Sequence, residues 1–339
     1  MSRIVLIILA ITLFSIYLFL NPYHPCLNNQ KIAIPSVHNK FTSCIPSANT
    51  YDYNDDISLQ KLSVPIHVYF PKTSSKVPLI IISHGAGGIF KFHHDYKDMF
   101  ISHGYAVAII DHFSPRGIAI DFNFVNVSEA MMLSDFTSTA KYLMSNYKSR
   151  LQKNIGYIGW SKGGIASLSL KHNIIYEKYM PKDIELSFVA GMYTYCGVGY
   201  EKYNYSNIPV LIISGRSDEV TPSKYCEDLY NKNKNKEIIE YHEIKNAYHG
   251  FDNHAFLLGA YLPWQPILID SEKCRIMVNE FLETTNVLKN STLTTPSSRQ
   301  DFINACTQRG AYVKYNYESS KISKILVMDF IKKYMSVNN

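Results

Sequence analysis

The sequence predicts an α/β fold with a mostly parallel central sheet, helices on both faces and a hydrophobic helix at the N-terminus. From about residue 61 onwards, apolar runs of β type alternate with helical patterns, which is the order of elements in a parallel sheet. The runs at residues 79–82 and 210–213 are apolar at every position, as expected for strands covered on both faces. The composition, 46% hydrophobic and 18% charged, is that of a folded globular protein.

The body of the chain contains seven predicted strands and six predicted helices. The strands are expected at residues 64–70, 78–83, 105–111, 154–160, 186–195, 209–214 and 238–244. The helices are expected at residues 95–103, 128–146, 162–171, 223–231, 271–283 and 319–334, the last being amphipathic. Residues 286–309 are rich in Thr, Ser and Asn and are expected to form a loop or excursion.

The N-terminal residues 4–20 form an apolar run that is typical of a signal peptide or signal anchor. The residues that follow, 21–26, lack the small side chains of a cleavage site, which favours an uncleaved anchor that attaches the protein to the membrane; a cleaved signal peptide is the alternative. We therefore predict an extracytoplasmic protein, secreted, periplasmic or anchored facing outward. Its expected parts are a signal segment at 1–25, a linker with an irregular first strand at 26–60 and one α/β domain at 61–339.

The six cysteines are an even number, which is compatible with disulfides in an oxidising compartment. Closeness in the sequence suggests that Cys26 pairs with Cys44 and that Cys274 pairs with Cys306. This is one of the fifteen complete pairings that six cysteines allow. No two of the cysteines have the CxxC spacing that is typical of a zinc or redox site.

The net charge of +6 comes from lysines scattered along the chain, and no basic stripe or nucleic-acid motif concentrates it. We predict no nucleic-acid partner. The histidines at 93, 94, 103 and 112 fit no compact ligand spacing, so we predict no metal. The chemistry described next needs no cofactor.

The segment with the clearest chemical meaning is residues 158–164, Ile-Gly-Trp-Ser-Lys-Gly-Gly, which contains the pattern G-x-S-x-G. It directly follows an apolar strand and precedes a helical pattern, so Ser161 is expected on a tight turn with its hydroxyl exposed above the sheet edge. Gly159 and Gly163 would leave room for close packing. We predict that Ser161 is a nucleophile.

A serine nucleophile needs a histidine base and an acid that orients the histidine, and on this kind of fold the chain order is serine, acid, histidine. Asp218 and His249 follow two predicted strands in that order. Because the carboxyl ends of parallel strands meet at one edge, the three side chains are expected to converge. Glu219 is the competing acid, Asp218 could instead cap a turn, and His249 could be an ordinary loop histidine.

An oxyanion hole needs two backbone donors, one from the residue after the nucleophile and one from a loop after an earlier strand. The N–H of Lys162 is the first candidate. The second is expected from the Gly-rich segment 83–88, where we choose the N–H of Ala86. This segment lacks the patterns of phosphate-binding loops.

Residues 159–164, 215–222 and 248–251 together resemble the dienelactone hydrolase family of the α/β-hydrolase superfamily, and residues 106–117 look like a segment of its exported members. The resemblance covers about residues 61–252. It implies the α/β-hydrolase fold and cleavage of carboxylic esters or lactones without a cofactor. The family's namesakes carry a cysteine nucleophile, so Ser161 makes a general ester substrate the safer expectation than dienelactone itself.

The expected activity is thus hydrolysis of a small-molecule ester or lactone through a Ser161–His249–Asp218 triad and an acyl-enzyme. A peptidase or acyltransferase with the same triad is one alternative. A catalytically silent, membrane-anchored binding protein is another.

Overall fold

The computed structural model describes residues 26, 39–53, 61–201, 204–233, 239–286 and 291–337. The predicted signal or anchor at residues 1–25 lies outside these residues. In the part of the chain that is described, no helix combines the length and the apolar composition that a bilayer crossing requires.

The main sheet has eight strands in the order β1-β2-β4-β3-β5-β6-β8-β9. The strands of the first two thirds of the chain are β1 (Lys40–Ala48), β2 (Lys61–Tyr69), β3 (Val77–Ser83), β4 (Ala106–Ile110), β5 (Leu151–Trp160), β6 (Glu185–Met192), β7 (Gly199–Tyr200), β8 (Val210–Gly215) and β9 (Ile239–Ile244). Along this order, every neighbouring pair from β4 to β9 is parallel, whereas the pairs β1–β2 and β2–β4 are antiparallel. The predicted mostly parallel sheet is confirmed.

Seven helices are described, and those outside the cap defined below cover both faces of this sheet. They are α1 (Lys91–Ser102), α2 (Glu129–Asn146), α3 (Lys162–Ser169), α4 (Asn173–Tyr179), α5 (Lys224–Asn233), α6 (Pro296–Cys306) and α7 (Tyr317–Tyr334). Alternate residues of β3 enter different cores: Leu79 and Ile81 pack in the layer that contains α2, and Ile80 and Ile82 pack in the layer of α1 and α7. Burial on both faces explains why β3 is apolar at nearly every position.

The first strand departs from expectation. Residues 26–60 were expected to hold a linker and an irregular strand, but β1 within them is regular and pairs with β2 along all nine of its residues. The disulfide Cys26–Cys44 ties residue 26 to this strand. The second predicted pair, Cys274–Cys306, is also confirmed, and a third disulfide joins Cys196 to Cys226. Three disulfides agree with an oxidising, extracytoplasmic location.

Residues 260–313, which we call the cap, add two small sheets and α6 to the hydrolase body. Its strands are β10 (Ala260–Leu268), β11 (Ile276–Val278), β12 (Thr284–Asn286), β13 (Ser291–Thr292) and β14 (Thr307–Val313). The strand β10 pairs with β14, and the other three form a sheet with β7 in the order β13-β12-β11-β7.

The prediction of a helix at residues 271–283 is wrong. The segment instead contains a short 3₁₀ turn, β11 and a second turn. The Asn279 side chain explains the second turn, because its Oδ1 accepts hydrogen bonds from the N–H groups of Phe281 (3.0 Å) and Glu283 (2.8 Å) and so competes with helical bonding.

The loop expected at 286–309 contains α6. The helix begins after Thr295, whose hydroxyl caps the N–H of Ser298, with Pro296 in the first turn.

Candidate active site

Ser161 lies between β5 and α3 with φ 51° and ψ −115°, a backbone conformation that non-glycine residues rarely adopt. Its two glycine neighbours make this turn possible. A Cβ at Gly159 would lie 2.0 Å from the carbonyl oxygen of Gly163, and one at Gly163 would lie 2.6 Å from the carbonyl oxygen of Ser83. The G-x-S-x-G pattern is therefore a packing requirement of a strained strand-to-helix turn.

The structure brings Ser161, His249 and Asp218 together into one chain of hydrogen bonds, which we call the cavity triad. Oγ of Ser161 lies 3.0 Å from Nε2 of His249, and Nδ1 of His249 lies 2.8 Å from Oδ2 of Asp218. Asp218 stands in the loop after β8 and His249 in the loop after β9, so adjacent parallel strands deliver both side chains to the same sheet edge.

Asp218 is buried and held by neutral donors. Its Oδ1 accepts from the backbone N–H groups of Val220 (2.9 Å) and Thr221 (2.8 Å), and its Oδ2 accepts from the hydroxyl of Thr221 (2.9 Å). These bonds fix the carboxylate for His249. Glu219, the competing acid, accepts instead from the backbone N–H of Tyr312 in the cap, at 2.9 Å.

A buried network lies behind His249. The ring of Tyr193 contacts the His249 ring edge-to-face with centroids 4.9 Å apart, and its hydroxyl donates to Asp252 (2.7 Å). Trp160 Nε1 also donates to Asp252, at 3.0 Å. Burial raises the pKa of the Asp252 carboxyl, although these two hydrogen bonds work against the rise.

The backbone around the predicted oxyanion donors lies next to Ser161. A Cβ on Gly85 would lie 3.2 Å from Cβ of Ser161, and Ala86 lines the same cavity as Ser161 and His249. Lys162 begins α3, where the first N–H groups of a helix have no intrahelical acceptor. Both candidate donor segments thus lie next to Ser161.

His84 shapes the loop that carries Ala86. Its Nδ1 donates to the carbonyl of Gly85 (2.8 Å), and its Nε2 accepts from the N–H of His112 (3.2 Å). Burial, and then the neighbouring His112, lower the pKa of His84 to about 4, so the ring stays neutral.

Sequence reasoning missed Asp121, which links the two candidate donor segments. Its carboxylate forms a fully buried ion pair with Nζ of Lys162 (2.7 Å), and its backbone N–H donates to the carbonyl of Ala86 (2.9 Å). Burial acts against ionisation of Asp121, but the Lys162 ammonium and the backbone N–H groups of Asn126 and Val127 together outweigh it and lower the pKa. No motif surrounds Asp121 in the sequence, so only the fold reveals this link.

A second Ser–His–Asp chain, the buried triad, lies inside the fold. Ser83 Oγ is 2.8 Å from Nε2 of His112, and Nδ1 of His112 is 2.7 Å from Oδ2 of Asp135. Both carboxylate oxygens of Asp135 accept from Arg116, at 2.9 and 3.1 Å. Ser83 is also bonded to the hydroxyl of Tyr157, at 2.7 Å. None of the three triad residues is exposed to solvent.

A parallel sheet with an elbow serine, and with histidine and aspartate on the following loops, defines the α/β-hydrolase superfamily. Within it, the model of the dienelactone hydrolase family matches residues 65–257, more than half of the chain. The chain belongs to the dienelactone hydrolase family and is a hydrolase that acts on esters.

Solved structures share the fold at low sequence identity. A dienelactone hydrolase-like promiscuous phosphotriesterase from metagenomic libraries is 11% identical with a TM-score of 0.53, over 88% of this chain and 100% of that chain. A putative dienelactone hydrolase from Klebsiella pneumoniae subsp. pneumoniae is 17% identical with a TM-score of 0.46, over 63% of this chain and 89% of that one. Esterase 2 of Thermogutta terrifontis is 14% identical with a TM-score of 0.46, over 65% and 88%. No curated protein sequence matches the chain.

Proposed function

We propose that the protein is a serine hydrolase that cleaves carboxylic esters or lactones through an acyl-enzyme, with Ser161 as nucleophile, His249 as general base and Asp218 as orienting acid. The observation that carries the proposal is the unbroken hydrogen-bond chain from Ser161 Oγ to the Asp218 carboxylate, with links of 3.0 and 2.8 Å. Links of this length allow proton transfer.

In the acylation step, Ser161 Oγ attacks the ester carbonyl carbon and its proton passes to Nε2 of His249. The carbonyl oxygen becomes an oxyanion, which the N–H groups of Lys162 and Ala86 stabilise. The bond between the carbonyl carbon and the alcohol oxygen then breaks, and His249 returns the proton to the departing alcohol. Asp218 bonds Nδ1 of His249 throughout and stabilises its charged form.

In the deacylation step, His249 removes a proton from water as the water oxygen attacks the acyl carbon. The bond to Ser161 breaks, Oγ takes the proton back, and the acid is released. With a lactone, the alcohol and the acid leave as one hydroxy acid. The buried Lys162–Asp121 ion pair supports both steps by fixing the two donor segments to each other.

The test is ester hydrolysis by the full chain, produced in an oxidising compartment so that its three disulfides form. We expect turnover of p-nitrophenyl acetate and butyrate, and labelling of Ser161 by a fluorophosphonate probe. Both should vanish in Ser161→Ala. A folded protein with no turnover and no labelling would favour the binding-protein alternative. Labelling with turnover of peptides or acyl transfer, but not of esters, would favour a peptidase or acyltransferase.

We further propose that residues 4–20 direct the protein across a membrane and remain as an anchor. The disulfide Cys26–Cys44 supports an oxidising destination. Because only residues 21–25 separate the apolar run from Cys26, a retained anchor would hold Cys26 within roughly 20 Å of the bilayer surface. Fractionation of expressing cells tests this. An anchored protein stays with membranes after a high-salt wash, and a cleaved one is found in the soluble extracytoplasmic fraction with a shortened N-terminus.

A further inference from the structure

Two cavities adjoin Ser161. The larger is about 140 Å³ and the smaller about 70 Å³. Both are lined by Ser161, Phe124 and Val220, so the nucleophile stands at their common boundary. An ester has two arms that diverge from the carbonyl carbon, and a serine between two cavities can receive one arm in each.

The proton transfer in the proposed reaction determines which arm enters which cavity. His249 must return its proton to the alcohol oxygen, so that oxygen has to lie within hydrogen-bond distance of Nε2. His249 lines the smaller cavity together with Ala86, whereas among the described residues around the larger cavity His249 does not occur. The alcohol arm therefore belongs in the smaller cavity and the acyl arm in the larger one.

The larger cavity has an apolar wall that comes mainly from the cap. Its aliphatic and aromatic lining includes Leu268, Ile276, Val278, Leu293, Phe302 and Ile303. An apolar cavity of about 150 Å³ is large enough to bind benzene, so this cavity takes an acyl group at least as large as a phenyl ring or a short aliphatic tail. Five of its lining residues, among them Ile276, also line a neighbouring pocket of about 660 Å³, which gives a longer acyl chain room beyond it.

The charged side chains on this wall already have partners. Arg299 forms an ion pair with Glu129 at 3.3 Å and donates from Nε to the carbonyl of Leu293 at 2.9 Å. The Lys162 ammonium is held by Asp121 at 2.7 Å. A carboxylate on the acyl arm would have to displace one of these partners or lose its hydration without compensation. The cavity therefore favours an uncharged acyl group.

The smaller cavity has half the volume and is bordered by the Gly85–Gly88 loop and by aromatic rings. Phe90, Phe92, Phe122 and Phe256 line it. The loop packs closely on one of these rings, since a Cβ at Gly87 would lie 2.5 Å from the Phe90 ring. This space suits an alcohol of roughly one to three carbons.

We propose that the preferred substrates are uncharged esters that combine an acyl group of benzene size or larger with a small alcohol, such as methyl or ethyl. The assignment rests on the proposed function of the cavity triad. It adds the orientation of the ester: acid part under the cap, alcohol part beside His249 and the Gly85–Gly88 loop.

Two isomeric esters test this orientation. Methyl hexanoate and pentyl acetate have the same formula and nearly the same polarity, but they place the long arm on opposite sides of the carbonyl. We expect kcat/KM for methyl hexanoate to exceed that for pentyl acetate by about tenfold or more. Equal or reversed values, with turnover that Ser161→Ala abolishes, would overturn the orientation while leaving the serine hydrolase intact. No turnover of either ester and no fluorophosphonate labelling would overturn both.

The charge requirement has its own comparison. Monomethyl adipate carries a carboxylate at the end of an acyl arm of similar length to that of methyl hexanoate. We expect its kcat/KM at neutral pH to be lower by about tenfold or more. Equal or faster turnover of the charged ester would show that a cation on the cavity wall is available to it, and would overturn the assignment of an uncharged acyl group.

Cavity-filling variants test the role of the cap. Ile303→Phe and Leu293→Phe enlarge two buried side chains on the wall of the larger cavity, and Ile325→Phe makes the same kind of change on α7, where Ile325 is 51% exposed. The readout is the ratio of kcat/KM for methyl hexanoate to that for methyl acetate, because a ratio does not depend on the fraction of folded enzyme. We expect this ratio to fall about tenfold in the two wall variants and to stay constant in Ile325→Phe. An unchanged ratio in both wall variants would place the acyl arm elsewhere.

Discussion

The molecule contains two Ser–His–Asp chains of almost the same geometry in very different surroundings. The serine–histidine distance is 3.0 Å in the cavity triad and 2.8 Å in the buried triad, and the histidine–aspartate distances are 2.8 and 2.7 Å. Yet Ser161 borders two cavities, whereas every member of the buried triad is fully enclosed. Hydrogen-bond lengths alone therefore do not identify a reactive serine.

The two aspartates are stabilised in opposite ways. Asp218 is bonded only by neutral donors and by the His249 ring. Its negative charge therefore acts on His249, whose protonated form it would stabilise. Asp135 accepts from both terminal nitrogens of the Arg116 guanidinium, and Ser47 of β1 donates to it as well, at 2.5 Å. We infer that the buried triad is structural: it joins β1, β3, the loop after β4 and α2.

Replacing each serine gives the largest contrast. We expect Ser161→Ala to lower kcat/KM for p-nitrophenyl butyrate by on the order of 10⁵-fold or more, because the nucleophile is lost. Ser83→Ala should keep kcat/KM within about threefold and instead lower the free energy of unfolding by about 1–3 kcal/mol, because His112 and Tyr157 lose a buried partner.

Steady-state kinetics and urea denaturation on the same preparations provide both readings. A Ser83→Ala enzyme that is folded but inactive would contradict the structural role of the buried triad.

Replacing the acid of the cavity triad gives the next largest effect. Asp218→Asn should lower kcat/KM by about 10⁴-fold, since an amide no longer holds the tautomer of His249 that accepts the Ser161 proton. Glu219→Gln makes the same chemical change one residue away and should keep activity within about threefold, because Glu219 bonds the cap backbone. A larger loss in Glu219→Gln than in Asp218→Asn would exchange the two roles.

The cavity triad was predictable because its signals are local. Ser161 lies in a recognisable turn pattern, and Asp218 and His249 each follow a strand whose apolar sequence is evident. The buried triad has no such signal. Ser83 and His112 are 29 positions apart in the sequence, and His112 and Asp135 are 23 positions apart, so only the packing of α2 against the sheet brings them together. Asp121 and Lys162, which are 41 positions apart, likewise carry no local signal.

The body of the fold was equally accessible to sequence reasoning, and the cap was not. Long apolar strands such as β3 are specified by burial on both faces. The cap strands β11 to β13 have two or three residues each, too few to show a period, and β11 pairs with β7 from a distant part of the chain. The start of α6 did carry a readable signal in Thr295 and Pro296, a capping residue followed by a first-turn proline.

Removing Arg116, which is bonded to Asp135 of the buried triad, should affect stability more than removing a surface ion pair does. In Arg116→Gln, Asp135 stays buried without its cationic partner, and we expect the free energy of unfolding to fall by about 3–5 kcal/mol. The matched control is Arg216→Gln. Arg216 pairs with Glu243 at the surface, where its side chain is 60% exposed, so the expected loss is below about 1 kcal/mol. Urea denaturation at neutral pH measures both, and similar losses would refute the special role of Arg116.

The smallest predicted effect is a difference in pH dependence between Asp135 and Asp252, the buried carboxyl behind the cavity triad. Burial acts against ionisation of Asp135, but Arg116 and His112 outweigh it and hold its pKa below the ordinary value of 3.8. Its contribution to stability is therefore complete above about pH 4 and is lost as the pH falls through the folded-state pKa. Burial raises the pKa of Asp252 above 3.8, so its ionisation destabilises the fold as the pH rises.

The free energy of unfolding of the wild type minus that of each Asp→Asn variant, measured between pH 3 and pH 7, separates the two residues. As the pH falls, this difference should decrease below about pH 4 for Asp135→Asn. For Asp252→Asn it should increase between pH 7 and the ordinary carboxyl pKa, by about 1.4 kcal/mol for each unit of pKa shift. Changes of the same sign in both would mean that Asp252 is stabilised as an anion by Tyr193 and Trp160. The network behind His249 would then carry a fixed negative charge, as the buried triad does.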